Sequence, residues 1–248
     1  MRSEIDAAVD NVVDVRAAIG DEEGPVLKRD RACMPRILLI NPNSSSATTA
    51  MMVSIASACC AGRAKVIGAT ATRAPAMIVD AEALAASAAE VVEIARGHLG
   101  VCDGIIVAAF GDPGADEIGR LGSMPVIGIG AASMREAGEG GRRFGVATVT
   151  PALLAGIGDL ADRLKLSPQF TGTRLTRGDP AALAADPARL AAALAEATHA
   201  CISDGAEAVI IGGGPLAQAA DQLQPQFAVP IIKPIAAAVA QLLDRLAV

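Results

Sequence analysis

Tryptophan and tyrosine are absent from this 248-residue chain, and four phenylalanines leave aromatic residues at 2%. So few rings provide neither a stacking platform for single-stranded nucleic acid nor an aromatic shelf for sugars. A formal net charge of −6 gives no basic face for a phosphate backbone. The adjacent Arg142 and Arg143 fit a solvated strand entry better than a polyanion site. Only His98 and His199 supply imidazole, so neither a structural zinc nor a histidine-rich metal centre is expected. The five cysteines (Cys33, Cys59, Cys60, Cys102, Cys201) are odd in number and lack metal spacing. Cys59 and Cys60, adjacent in an alanine-rich stretch, read as small packing residues before a redox pair. There is no uninterrupted apolar run long enough to span a bilayer. The opening MRSEIDAAVDNVVDV mixes acids into its apolar positions and has no signal-peptide core, so a cytoplasmic protein is expected.

What is present is alanine, in a chain that is 52% hydrophobic and 19% charged. Alanine favours helix and allows helices to pack closely on a sheet. The length suits one large or two modest domains. Residues Ser3 to Ile19 can form an amphipathic helix stopped by Gly20, and Asp21 to Pro35 reads as a linker. Residues 1–34 are therefore an N-terminal extension. From there, strand-like runs alternate with helical ones. Strands are expected at Ile37–Ile40, Ala64–Ala69, Asp103–Ala109, Pro125–Ile129, Phe144–Val149, Phe170–Leu175, Ala208–Ile211 and Val229–Ile232. Between them lie helical patterns, including Ala83–Gly97, a long one through Leu190, Leu194 and Cys201, and the terminal Ile235–Leu246. Asp179 and Asp186 each precede proline, which suits turns or helix starts. This alternation predicts a wound α/β protein.

The organising stretch is DGIIVAAFGDPG, Asp103 to Gly114, an apolar strand breaking into a turn. Its counterpart, AEAVIIGGGPLA, returns at Ala206 to Ala217. Aligning Ile37 with Phe144 puts Asn43 opposite Thr150, an offset of 107; aligning Ile105 with Val209 puts Ala109 opposite Gly213, an offset of 104. Aligning Met124 with Val229 matches Pro125 with Pro230, an offset of 105. The near-constant spacing predicts a duplication: two pseudo-symmetric three-layer lobes with mainly parallel sheets and a cleft between them. The first lobe spans 35–131 plus 229–248, and the second 132–228.

Ligands of open α/β sheets gather beyond the carboxyl ends of the strands, which selects the candidate site. Asn43, Ser44 and Ser45 follow the first strand and can hold substrate oxygens, although helix capping explains the same residue types. Phe110, Gly111 and Asp112 follow the central strand. Asp112 can accept an α-proton or orient water, and it equally suits a turn or a cap. Thr150 occupies the matched junction in the second lobe. Gly213 and Gly214 allow close backbone approach, and their amides can stabilise carboxylate or enolate charge. The triple glycine lacks both the P-loop lysine and the dinucleotide fingerprint. Lys233 follows the last strand and can pair with substrate, or simply lie on the surface. His199 fits packing in an alanine helix.

The segments LLINPNSSS, IVAAFGDPG, PVIGIGAAS, RRFGVATVT, VIIGGGPLA and VPIIKPIAAA resemble, in order, the aspartate/glutamate/hydantoin racemase superfamily, and its hydantoin racemase branch in particular. The resemblance implies two lobes, no cofactor, chemistry at the carbon beside a carbonyl or carboxylate, and self-association. It also implies one catalytic cysteine after each central strand, in motifs like ACFGDPG and GCAG. Those positions are Ala109 and Gly213 here. Two-base racemisation needs an acceptor and a donor on opposite faces, and neither alanine nor glycine can serve as one. The expectation is thus a cofactor-independent racemase or isomerase for a hydantoin-like or small carboxylate substrate, working without two thiols. Asp112, or Lys233 if deprotonated, would act in their stead. A hydrolase or lyase of a cyclic imide, and a non-catalytic small-molecule binder, remain as alternatives.

Overall fold

The computed structural model describes residues 34–122, 124–213 and 216–248. The expected N-terminal helix, Cys33 and Gly214 lie outside them. Strands β1 (Arg36–Asn41), β2 (Lys65–Thr70), β3 (Gly104–Val107) and β4 (Val126–Gly128) form a parallel sheet in the order β2-β1-β3-β4. Strands β5 (Phe144–Thr148), β6 (Phe170–Leu175), β7 (Ala208–Ile211) and β8 (Ile231–Ile232) form a second parallel sheet, ordered β6-β5-β7-β8. The second order repeats the first with every strand advanced by four, as the internal repeat requires. β3 and β7 are buried along their whole length, which explains why they read as unbroken apolar runs rather than alternating ones.

Parallel neighbours need crossovers, and helices supply them. In the first lobe these are α1 (Ser46–Cys60), α2 (Ala81–Gly97) and the short α3 (Ala115–Leu121). Val91, Val92 and Ile94 of α2 and Ile118 of α3 cover Leu38, Ile40, Ile105 and Val107 on the outer face. After α4 (Ile129–Ala137), the second lobe uses α5 (Leu154–Arg163), α6 (Pro180–Ala184), α7 (Pro187–Ser203) and α8 (Ala217–Leu223). Its outer core joins Leu194 and Cys201 of α7 to Val209 and Ile211. Asp179 and Asp186 do start helices: their carboxylates accept the Ala182 and Arg189 amides at 2.9 and 3.1 Å. Gly172, the weak point of the β6 pattern, has φ +118° and sits where the β5–β6 register slips, forming a bulge that leaves Thr171 unpaired.

The lobes are stitched together by exchanged helices. α4 leaves β4 and packs on β7 and β8, whereas α9 (Pro234–Leu246) leaves β8 and packs back on α1, β3 and β4. The two helices also pack on each other, with Gln241 Nε2 donating to the Ala132 carbonyl at 2.8 Å. One apolar core consequently runs from Ile37 and Ile106 through α4 and α9 to Phe144 and Ile210. Residues 231–232 pair with β7, and α9 follows them. The division at 131/132 falls inside α4, a helix the strand pattern through Ile129 did not foresee. His199 packs against Phe227 with ring centroids 4.7 Å apart.

Candidate active site

In the first lobe the strand-end loops are fixed by side chains that spend their polar atoms on backbone. Asn41, fully buried at the end of β1, donates from Nδ2 to Asn43 Oδ1 (2.8 Å) and Thr49 Oγ1 (3.0 Å), and its Oδ1 accepts the Asn43 amide. Asn43 Oδ1 also accepts the Ser45 amide at 2.9 Å. Ser45 Oγ accepts from Thr48 N at 3.2 Å and so caps α1. The loop is thereby preorganised, with Asn43 Nδ2 and Ser44 Oγ left without a partner among the described residues.

The loop after β2 is gripped by Glu90 of α2, a carboxylate that accepts from Thr72 N (2.7 Å), Thr72 Oγ1 (2.9 Å) and Arg73 N (3.0 Å). Burial raises the Glu90 pKa, but the hydrogen bonds from Thr72 and Arg73 outweigh it and the net shift is downward. Sequence reasoning passed over this residue. The available signal was its place on the apolar face of α2, in register with Ser87, Val91 and Ile94.

Asp112 sits in a turn with three left-handed positions, Gly111 at φ +122°, Asp112 at +57° and Gly114 at +76°. For a residue with a Cβ that conformation costs roughly 1–2 kcal/mol. The carboxylate offsets it by accepting the amides of Gly130 (2.8 Å) and Ala131 (2.7 Å) in the first turn of α4, where helix amides and dipole favour negative charge. The approach requires glycine at 128, because a Cβ there would lie 2.1 Å from Asp112 Cγ. Part of the residue reaches the surface, but the carboxyl group is enclosed. Burial pushes its pKa up to about 6, against the lowering effect of the Ala131 and Gly130 amides and of Arg135 and Arg163.

Among the described residues, the second lobe fixes its central strand-end loops with fewer side-chain hydrogen bonds. Thr148 Oγ1 donates to the Gly212 carbonyl at 2.8 Å, tying the ends of β5 and β7 together. Thr150 is nearly buried ahead of a 3-10 turn over Pro151–Leu153, and its side chain makes no capping bond. Thr176, also nearly buried, donates its amide to the Thr148 carbonyl while its Oγ1 has no partner among the described residues. Gly213 takes φ +149°, and a Cβ there would press on Leu216 at 3.2 Å.

The predicted site residues thus form two groups. Asn43, Ser44 and Ser45 neighbour Phe110, Gly111 and Asp112 through adjacent strands, the Ala108 amide donating to the Ile40 carbonyl at 2.8 Å. Thr150 and Gly213 neighbour each other in the same way across β5 and β7. Phe110 is 6% exposed and packs in the shared core, leaving little ring for a ligand. Lys233, the residue before α9, forms an ion pair with Asp221. The described cysteines lie on α1 (Cys59, Cys60), before β3 (Cys102) and on α7 (Cys201), not in the loops after β3 or β7. Cys201 is walled in against β5, and burial pushes its thiol up to about 12. Among the described residues, no three His, Cys, Asp or Glu side chains gather as a metal-holding group. No described helix is long and apolar enough to cross a membrane.

The family model for Asp/Glu/hydantoin racemases matches residues 37–242. The chain belongs to that family. Hydantoin racemases from Rhizobium meliloti and Paenarthrobacter aurescens are 32% and 30% identical to it, each match covering 82% of this chain and 85% and 87% of the relative. The allantoin racemase from Klebsiella pneumoniae superposes with a TM-score of 0.80 at 28% identity, covering 86% of this chain and 88% of that one. These matches assign the protein to the hydantoin and allantoin racemase branch, a racemase and isomerase family, and support an enzymatic role. The duplicated sheets and strand-end loops described above are the part of the chain that the family model spans.

Proposed function

We propose that the protein is a cofactor-independent racemase or isomerase that acts on a hydantoin-like or small carboxylate substrate through one carboxylate instead of two thiols. The observation that carries this reading is Asp112: the chain's central strand-end loop holds a carboxyl group whose pKa of about 6 suits a proton acceptor at neutral pH. Each of its oxygens accepts one amide hydrogen and retains a second lone pair. The proton leaves the substrate carbon for Asp112, and the C–H electron pair passes into the adjacent carbonyl as an enolate. The amides of the Gly111 and Gly213 turns offer that charge hydrogen bonds. A proton returned from water on the other face inverts the centre, and Asp112 then gives its own proton to the hydroxide left behind. Asn43 Nδ2, Ser44 Oγ and Thr150 would orient the substrate's oxygens. Lys233 pairs with Asp221.

One observation favours a second reading. Both Asp112 oxygens are already engaged in holding α4, and if that is their whole task the cleft binds its ligand without turnover. Solvent deuterium wash-in to an enantiopure 5-substituted hydantoin or to allantoin separates the two. Protein-dependent wash-in, reduced at least ~100-fold in Asp112→Asn, supports the proposal. Asparagine tolerates the left-handed backbone, and the melting temperature of the variant checks that it folds. Wash-in that survives the substitution removes Asp112 as the base. Saturable binding without wash-in supports the second reading, and ring opening without wash-in points to hydrolysis.

A further inference from the structure

A cavity of about 770 Å³ is lined by Asp112 and walled by α3, β4, α4, α5 and α9. Of the residues proposed for the substrate, only Asp112 reaches it; Asn43, Thr150 and Gly213 do not. Its size falls within the range of small-molecule sites. Three arginines line it, Arg135, Arg163 and Arg245. Each stands in the last turn of a different helix, α4, α5 and α9 respectively.

A cation at a helix C-terminus is favourable by itself, and that accounts for any one of them. It does not account for three converging on one cavity. Nor do they cancel nearby acids: Arg73, Arg96, Arg142 and Arg174 have carboxylates within 4.0 Å, whereas these three have none among the described residues. Asp112 feels the charge of Arg135 and Arg163 but gives its oxygens to α4. Asp116 is the other acid on the wall. Room is kept by Gly119 and Gly122, around whose absent Cβ atoms there is open space.

We infer that this cavity is a second ligand site, which takes a small polyanion bearing carboxylate or phosphate groups and thereby controls how the two lobes sit against each other. Guanidinium forks match both groups in bidentate geometry. α3 and β4 belong to the first lobe, α5 to the second, and α4 and α9 are the helices that cross between them. An anion held by all three arginines therefore clamps both crossings and both lobes. The inference stands apart from the proposed reaction, since it is read by binding and not by turnover.

Isothermal titration of the full chain with citrate and, separately, with inorganic pyrophosphate tests it, in parallel with the Arg163→Gln/Arg245→Gln double variant. Both substitutions are on exposed residues, and the unliganded melting temperature of the variant checks that it folds as the wild type does. Saturable binding of either probe, weakened at least tenfold in the double variant, supports the site, and the tighter probe tells carboxylate from phosphate. Heats that do not saturate, that match sodium chloride at equal ionic strength, or that persist unchanged in the double variant overturn it.

Discussion

The two lobes share one strand order and differ in how their strand ends are held. In the first, Asn41, Glu90 and Asp112 each spend side-chain polar atoms on neighbouring backbone, and the loops are set before any ligand arrives. In the second, among the described residues, one hydroxyl, Thr148 Oγ1, joins the central loops, while Thr176 Oγ1 is buried with no partner and Gly213 holds a backbone that few residues adopt. Duplication fixes topology but leaves each copy free to divide its labour. The first lobe presents a rigid wall; the second keeps buried hydrogen-bonding capacity in hand, and an unpaired buried hydroxyl is a cost that a bound ligand can relieve.

The largest effect expected from breaking that difference is at Asp112. Asp112→Ala loses two charge-assisted hydrogen bonds and keeps a left-handed non-glycine residue, so chemical denaturation should show a loss of about 3 kcal/mol. Its pH dependence runs opposite to that of an ordinary carboxylate. The folded pKa of about 6 lies above the usual 3.8, so the folded state binds the proton more readily. The group's contribution to stability thus grows as pH falls from 6 towards 4, and the wild-type advantage over Asp112→Asn should widen over that range.

Glu90→Gln should cost about 2 kcal/mol, because it removes a charged acceptor from three hydrogen bonds. Here the sign is reversed. The Glu90 pKa is depressed below its usual 4.5, so its contribution is present above that value and is lost as pH falls through the folded pKa. The gap between wild type and variant should close in acid, read by melting temperature from pH 7 downward. Placing thiols at the matched strand ends probes the lobes directly. Ala109→Cys should change stability by less than ~0.5 kcal/mol, whereas Gly213→Cys meets a φ of +149° and Leu216 at 3.2 Å and should cost about 1–2 kcal/mol. Equal costs would mean that the two loops are alike. The smallest expected stability change belongs to Thr176→Val, which discards a hydroxyl with no partner among the described residues and should stay within ~0.5 kcal/mol while raising KM. An unchanged KM would mean the hydroxyl does not face the substrate.

Much of the fold was legible because the central parallel strands are short apolar runs ending in turn residues, as in GIIV before FGDPG and AVII before GGGP. The doubled spacing then gave the two sheets. α4 was hidden because IGAASMREA follows an apolar strand without a break, and its cap is contributed from the distant Asp112. A cap eighteen residues away leaves no local mark in the sequence. For the candidate site, the strand-end rule selected the loops that hold Asp112 and Lys233 but did not reveal their partners, the amides of Gly130 and Ala131 and the carboxylate of Asp221. Glu90 and the three arginines escaped notice because each is ordinary in its own helix. What makes them unusual is the company that tertiary packing gives them.

The proposal that a carboxylate works in place of a thiol pair is tested most directly by the pH profile of solvent deuterium wash-in to an enantiopure hydantoin between pH 5 and 9. A carboxyl base with its pKa at about 6 predicts a rate that rises with pH, reaches half its maximum near 6 and is flat above 7, with the step abolished in Asp112→Asn. A rate still climbing between 8 and 9, as thiol ionisation would give, or a step near 6 that persists in Asp112→Asn, would contradict it.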